Sequence, residues 1–153
     1  MRKTGAALLA VLIAVSGSAL ALIVTAPLVN NYTAKTIARR LAETPLPPET
    51  ELCGSLSAAG KLTGNSNGMQ FFGAVLIRTG LTEEQLEEHY APMRKEEWQY
   101  QIEPQTGPAV SAIEHGGRRF SALEEVQDFR GYFIVYSWGT SGYPFQNLDL
   151  RAY

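Results

Sequence analysis

Residues 6–25 form one apolar run, interrupted only by Ser16, Gly17 and Ser18 and carrying no ionisable side chain. Crossing the hydrocarbon core of a bilayer takes about 20 apolar residues at about 1.5 Å each. The run therefore has two fates open to it, a membrane span or an export signal. The leader Met1-Arg2-Lys3 and the small-x-small pattern Ala19-Leu20-Ala21 suit a cleaved signal. Apolar character nevertheless continues through Leu22, Ile23 and Val24 to Leu28-Val29, past the roughly 7–15 residues of an ordinary signal core, which favours an uncleaved anchor over residues 1–27. No cysteine lies near the end of the run, which excludes attachment through a lipidated N-terminal cysteine.

Flanking charge nearly cancels as a guide to orientation. Arg2 and Lys3 stand at one end, and Lys35, Arg39 and Arg40 lie within about 15–20 residues of the other, so positive-inside counting is close to a tie. A short basic leader running straight into apolar residues reads like an export signal. The expectation is a cell-membrane protein crossing once, with its C-terminal domain extracytoplasmic. Lys35, Arg39 and Arg40 form a membrane-proximal basic set, suited either to anionic headgroups or simply to marking the edge of the span.

The formal charge of −2 hides an asymmetry. Residues 1–43 hold five basic side chains against Glu43, a net of +4, while the remainder holds eight basic and fourteen acidic residues, a net of −6. An acidic domain argues against nucleic acid as a partner, because phosphate binding needs a basic face. The membrane is the expected partner, together with another membrane or envelope protein.

Residues 28–44 read as a juxtamembrane helix, with Leu28, Tyr32, Ile37 and Leu41 at helical spacing and Pro27 placed to kink its start. Asn31-Tyr32-Thr33 matches the glycosylation acceptor pattern, but it lies almost against the membrane and is discounted. Residues 45–48, Pro-Leu-Pro-Pro, end the helix as a stiff spacer. Residues 49–153 then have the length of one domain. Cys53 is the only cysteine, so no internal disulfide is available, and a small buried residue is its expected role.

Within that domain, residues 49–59 read as a strand with Gly54 at a bulge, and residues 64–68 as a turn. Residues 69–78 are apolar on both faces, the mark of a central strand. Thr82-Glu83-Glu84-Gln85 is a capping box with Leu81 and Leu86 as its hydrophobic staple, so a helix starts at Thr82, buries Leu86, Tyr90 and Met93, and ends near Pro92. Residues 98–103 alternate as a strand with one wet face, Gly116-Gly117 suggests a two-residue hairpin, and residues 132–138 form the last clear strand. Residues 148–151 suit a short edge strand. The fold class is α+β: a transmembrane helix followed by a small domain with one helix on a mostly antiparallel sheet, the sheet's other face left wet or open to a partner.

No spacing in the chain demands chemistry. His89, His115 and Cys53 form no short ligand pair, so no metal or cofactor is expected. Gly139-Thr140-Ser141-Gly142 lacks the glycine that a nucleophile elbow needs at 143, and no catalytic residue is assigned. Two stretches suit binding: the turn with Asn65 and Asn67, whose amides suit a sugar or peptide, and the aromatic loop with Trp138, Tyr143 and Phe145.

In its order of parts, one N-terminal span, a Pro-rich spacer and an acidic α+β domain, the chain resembles uncharacterised single-span, membrane-anchored extracytoplasmic proteins of Gram-positive bacteria. The likeness is one of layout and lends no residue a role. The readings it leaves open are a membrane-tethered interaction or accessory domain, a small-ligand sensor, and an envelope-acting hydrolase. The hydrolase needs a nucleophile or carboxylate to converge with His89 or His115 in a cleft.

Overall fold

The computed structural model describes residues 2–65, 68–95 and 98–152. Helix α1 (Arg2–Glu43) is one run of 42 residues, about 63 Å long at the standard rise. Pro27 lies inside it without ending it. Its N-terminal half is long and apolar enough to cross a membrane, with a mean hydropathy of 2.6 over a stretch of which none is buried.

Past Thr25 the helix changes character. Ala26, Asn30, Ala34, Ile37, Ala38 and Leu41 recur at helical spacing and are buried against the rest of the chain. The juxtamembrane helix expected at 28–44 is thus the second half of α1 and forms a layer of the domain. Leu28 and Tyr32, which the sequence sets at helical spacing with Ile37 and Leu41, do not share their burial and are each 66% exposed. Close approach is the reason: a Cβ added to Gly73 would lie 2.4 Å from the Ala38 nitrogen. With the backbones this near, small residues are selected over large ones, and the stripe is rich in alanine.

The sheet has four antiparallel strands, β1 (Glu51–Gly60), β2 (Gln70–Arg78), β3 (Gln101–Pro104) and β4 (Tyr132–Gly139), in the order β1-β2-β4-β3. Strand β2 is central, as its two apolar faces require. Phe71, Val75 and Ile77, with Val135 of β4, face Ile37 and Leu41 of α1 and Leu86 and Tyr90 of α2 (Glu83–Tyr90). Burying each such large side chain contributes about 1.5–3 kcal/mol. Helix α2 starts at the expected capping box, Thr82 Oγ1 accepting from the Gln85 amide and Gln85 Oε1 from the Thr82 amide. It gives way at Tyr90 to a 3-10 turn containing Pro92.

The other sheet face is not open. Phe72, Ala74, Leu76, Ile134 and Tyr136 are covered by Val110, Ile113, Phe120 and Leu123 from residues 105–131. Gly116 and Gly117, with φ of 89° and 52°, do form a turn. The flanks pair through only one bridge, Ala109 to Arg119, rather than as hairpin strands. Their apolar residues have to cap the sheet, and a twisted segment with turns at 110–113 and 120–123 delivers them to one side where an alternating strand would split them.

Three further expectations are corrected. The strand expected at 98–103 shortens to Gln101–Pro104, because Trp98 turns back and pairs with Lys95 through amides at 2.8 and 3.0 Å. The edge strand expected at 148–151 is replaced by 3-10 turns at Gln146–Leu148 and Leu150–Ala152, drawn inward by Asp149. The bulge in β1 lies between Leu52 and Gly54, with Cys53 as the extra residue; its thiol is half-buried rather than buried.

Candidate functional site

The early end of β3 opens a groove along α1. Strand β3 covers β4 only as far as Tyr136, so Ser137, Trp138 and Gly139 have no strand neighbour on that edge among the described residues. Trp98, which an unbroken strand would have placed there, carries its ring under Arg40, whose Cζ lies 4.5 Å from the ring centroid. This cation–π pair divides the groove in two. One cavity, of about 470 Å³, is lined by Arg40, Glu43, Thr44, Pro45, Met93, Lys95, Trp98 and Tyr100. The other, of about 460 Å³, is lined by Tyr32, Thr33, Thr36, Ile37, Arg40, Trp98, Gly139 and Thr140. Each has the size of a site for a few side chains.

The wall opposite α1 is braced. Arg94 Nε donates to the Tyr100 carbonyl at 2.8 Å while its guanidinium pairs with Glu87 of α2. The Tyr100 ring stacks on Tyr90 with centroids 5.8 Å apart, and its hydroxyl lies 3.3 Å from Thr44 Oγ1. Burial pushes the Tyr90 phenol up to about 12, with Tyr100 adding to the shift. The Tyr90 ring is therefore a neutral support in the ordinary pH range, and the groove offers aromatic, cationic and hydroxyl groups with one carboxylate, Glu43.

At the foot of the domain a polar network ties α1 to the C-terminal turns. Asn30, fully buried, donates through Nδ2 to the Gln146 carbonyl and to Asp149 Oδ2, each at 3.0 Å. Asp149, 1% exposed, also accepts from Arg151 Nε at 2.9 Å and Nη2 at 2.5 Å. Arg151 in turn donates to Asn31 Oδ1 at 2.9 Å and to the Pro27 carbonyl at 3.3 Å.

The residues singled out from the sequence fall in different places. Asn65 sits exposed in its turn, and Asn67 lies outside the described residues. Trp138 packs edge-on against Phe72, centroids 5.0 Å apart, on the face covered by residues 105–131. Tyr143 and Phe145 are elsewhere: they meet edge-on beside α1, with the Tyr143 hydroxyl 3.4 Å from Thr25 Oγ1. The three aromatics do not form one surface. Of the basic set, Arg39 pairs with Glu43 at 3.8 Å and Arg40 covers Trp98, while Lys35 points to the opposite side of α1.

Each histidine ring lies against a backbone carbonyl. His89 Nε2 lies 3.0 Å from the Pro45 carbonyl and His115 Nε2 3.0 Å from the Gly64 carbonyl. Neither lines one of the clefts described above. Among the described residues no three His, Cys, Asp or Glu side chains gather as a metal site would require. Sequence reasoning missed the Arg40–Trp98 pair. The signal available was Trp98 itself, an aromatic at the start of a supposed wet strand. Comparison with protein-family models, with curated proteins and with solved structures finds no match for this chain.

Proposed function

We propose that the chain is a membrane-tethered interaction domain, held on the extracytoplasmic side of the cell membrane, whose Arg40–Trp98 groove receives a segment of another membrane or envelope protein. One observation carries this reading: α1 passes without a break from an exposed apolar half into the core of the domain. The groove, one wall of which is α1 itself, is therefore held at a set height above the apolar stretch. From Thr25, Tyr32 is about 10 Å and Glu43 about 27 Å along the axis. A segment docking there has to be presented close to the membrane, which suits a membrane protein better than a freely diffusing one.

Helix geometry also supports the anchor against cleavage. The chain is helical through Ala19-Leu20-Ala21, and the buried stripe starts at Ala26. The basic leader supports the external orientation, as does the layout shared with externally displayed single-span proteins. The hydrolase reading draws no support from the groove, which neither histidine lines. The edge at Ser137–Gly139, without a strand neighbour among the described residues, lies beside the groove and suits an extended segment, which would add backbone hydrogen bonds to side-chain contacts.

The test is made in intact cells with a tag after Tyr153. Protease should remove the tag without lysis, and alkaline carbonate should leave the chain in the membrane pellet. A photo-crosslinking residue at Thr36 or Thr140 should then yield one defined adduct that Trp98→Ala and Arg40→Ala abolish, while the same group at Glu124 yields none. Equal labelling from all three positions would sink the groove. A protected tag would place the domain in the cytoplasm.

A further inference from the structure

On the β1 side of α1, away from Trp98, a smaller cleft of about 260 Å³ is lined by Asn31, Lys35, Ser57, Arg118 and Arg151 together with Ala34, Ala58 and Ala59. Three cationic side chains converge on it, and among the described residues no side-chain carboxylate lines it. Arg151 is oriented from behind by the buried Asp149 and held to α1 through Asn31 Oδ1 and the Pro27 carbonyl. Lys35 and Arg118 have exposed side chains and no ion-pair partner among the described residues. Asp149 balances Arg151 alone, so Lys35 and Arg118 leave the cleft with unbalanced positive charge in an otherwise acidic domain.

Height along α1 says what meets that charge. Pro27 and Asn31 lie about 3 and 9 Å beyond Thr25 along the helix axis. The polar layer of a bilayer leaflet is about 5–7 Å deep outside the hydrocarbon. With Thr25 taken as the hydrocarbon edge, the Arg151 guanidinium falls at the height of the headgroup layer, and Lys35, about 15 Å up, reaches toward it with its long stem. Leu28 and Leu150, chain neighbours of the residues that position the guanidinium, are 66% and 74% exposed and suit contact with acyl chains.

Resting on the reading of α1 as a membrane span, we propose that this cleft binds the phosphate of an anionic lipid headgroup in the leaflet from which the domain emerges. Asp149, Asn31 and the Pro27 carbonyl take four of the five Arg151 N–H donors, so Arg151 offers its remaining Nη1 proton to one phosphate oxygen, and Lys35 and Arg118 supply the charge that holds the phosphate.

The test uses the full chain reconstituted in nanodiscs of phosphatidylcholine with a minority of phosphatidylglycerol, and native mass spectrometry to count the lipids it retains. Retained phosphatidylglycerol should exceed its share of the bilayer by at least about five-fold, and Lys35→Gln with Arg118→Gln should remove that enrichment. Arg119→Gln with Arg130→Gln, which removes equal charge outside the cleft, should leave it intact. Equal loss in both double variants would mean diffuse attraction and overturn the site. So would suppression of enrichment by millimolar inorganic phosphate, which would make the ligand free phosphate. If the chain enters nanodiscs but shows no enrichment, the cleft proposal falls alone; if it stays in the aqueous phase, the span reading falls with it.

Discussion

Asn30 Nδ2 donates to Asp149 Oδ2 at 3.0 Å, joining residues 119 positions apart inside the domain. This bond closes the chain onto the helix that carries it, one turn above the apolar stretch. It makes α1 part of the fold rather than a leash, and the first prediction follows from it.

Asn30→Ala removes both donors from the Gln146 carbonyl and the Asp149 carboxylate and leaves them buried with fewer partners. A loss of about 2 kcal/mol is expected in urea unfolding of the detergent-solubilised chain, followed by tryptophan fluorescence. A loss below about 0.5 kcal/mol would show that the network does not hold α1 to the domain.

The same carboxylate gives the domain an acid limb. Burial pushes the Asp149 carboxyl up, but hydrogen bonds from the Arg151 side chain, Asn30 and the Arg151 amide outweigh it and hold the group below its ordinary 3.8. The unfolded chain therefore binds more protons than the native one in the window below that value. Stability from this group is complete above the unfolded value and is lost as pH falls through the folded one. Between about pH 5 and about pH 2 the unfolding midpoint of the wild type should fall more steeply than that of Asp149→Asn. Parallel slopes would count against the assignment.

Two glycines under α1 should respond unequally to a methyl group. At Gly73 a Cβ would meet helix backbone, 2.4 Å from the Ala38 nitrogen, whereas at Gly139 it would meet the end of the Ile37 side chain, 2.5 Å from Cδ1. Gly73→Ala should cost about 3 kcal/mol because the helix has to move, and Gly139→Ala about 1 kcal/mol because a rotamer change suffices. Similar costs would place the helix farther from the sheet.

Helix α2 should lose its first turn when its cap is cut. Thr82→Ala is expected to cost about 1 kcal/mol and to speed hydrogen exchange at the Gln85 amide. An unchanged exchange rate there would mean that tertiary packing, not the capping box, protects the turn.

How far the sequence could be read depended on the range of each signal. The capping box at Thr82–Gln85, the two apolar faces of β2 and the alternation along β4 each lie within a few residues, and all appear as expected. The strand at Trp98 did not, because alternation there competes with an aromatic ring that gains more by packing under Arg40 from a distant helix. The buried stripe on α1 is not legible in the sequence for a related reason. Hydropathy ranks Leu28 and Tyr32 above Ala34 and Ala38, but it carries no information about how near another backbone comes.

The sequence by itself determined that an apolar helix heads the chain, that an α+β domain follows, and that β2 lies at its centre. Periodicity and local hydrogen bonding are properties of neighbours in the chain. Only the tertiary structure decided which side of α1 is buried, that residues 105–131 close the second sheet face, and that Lys35, Arg118 and Arg151 share one cleft. Close approach and convergence of charge depend on what remote segments place opposite one another, and no local pattern encodes that.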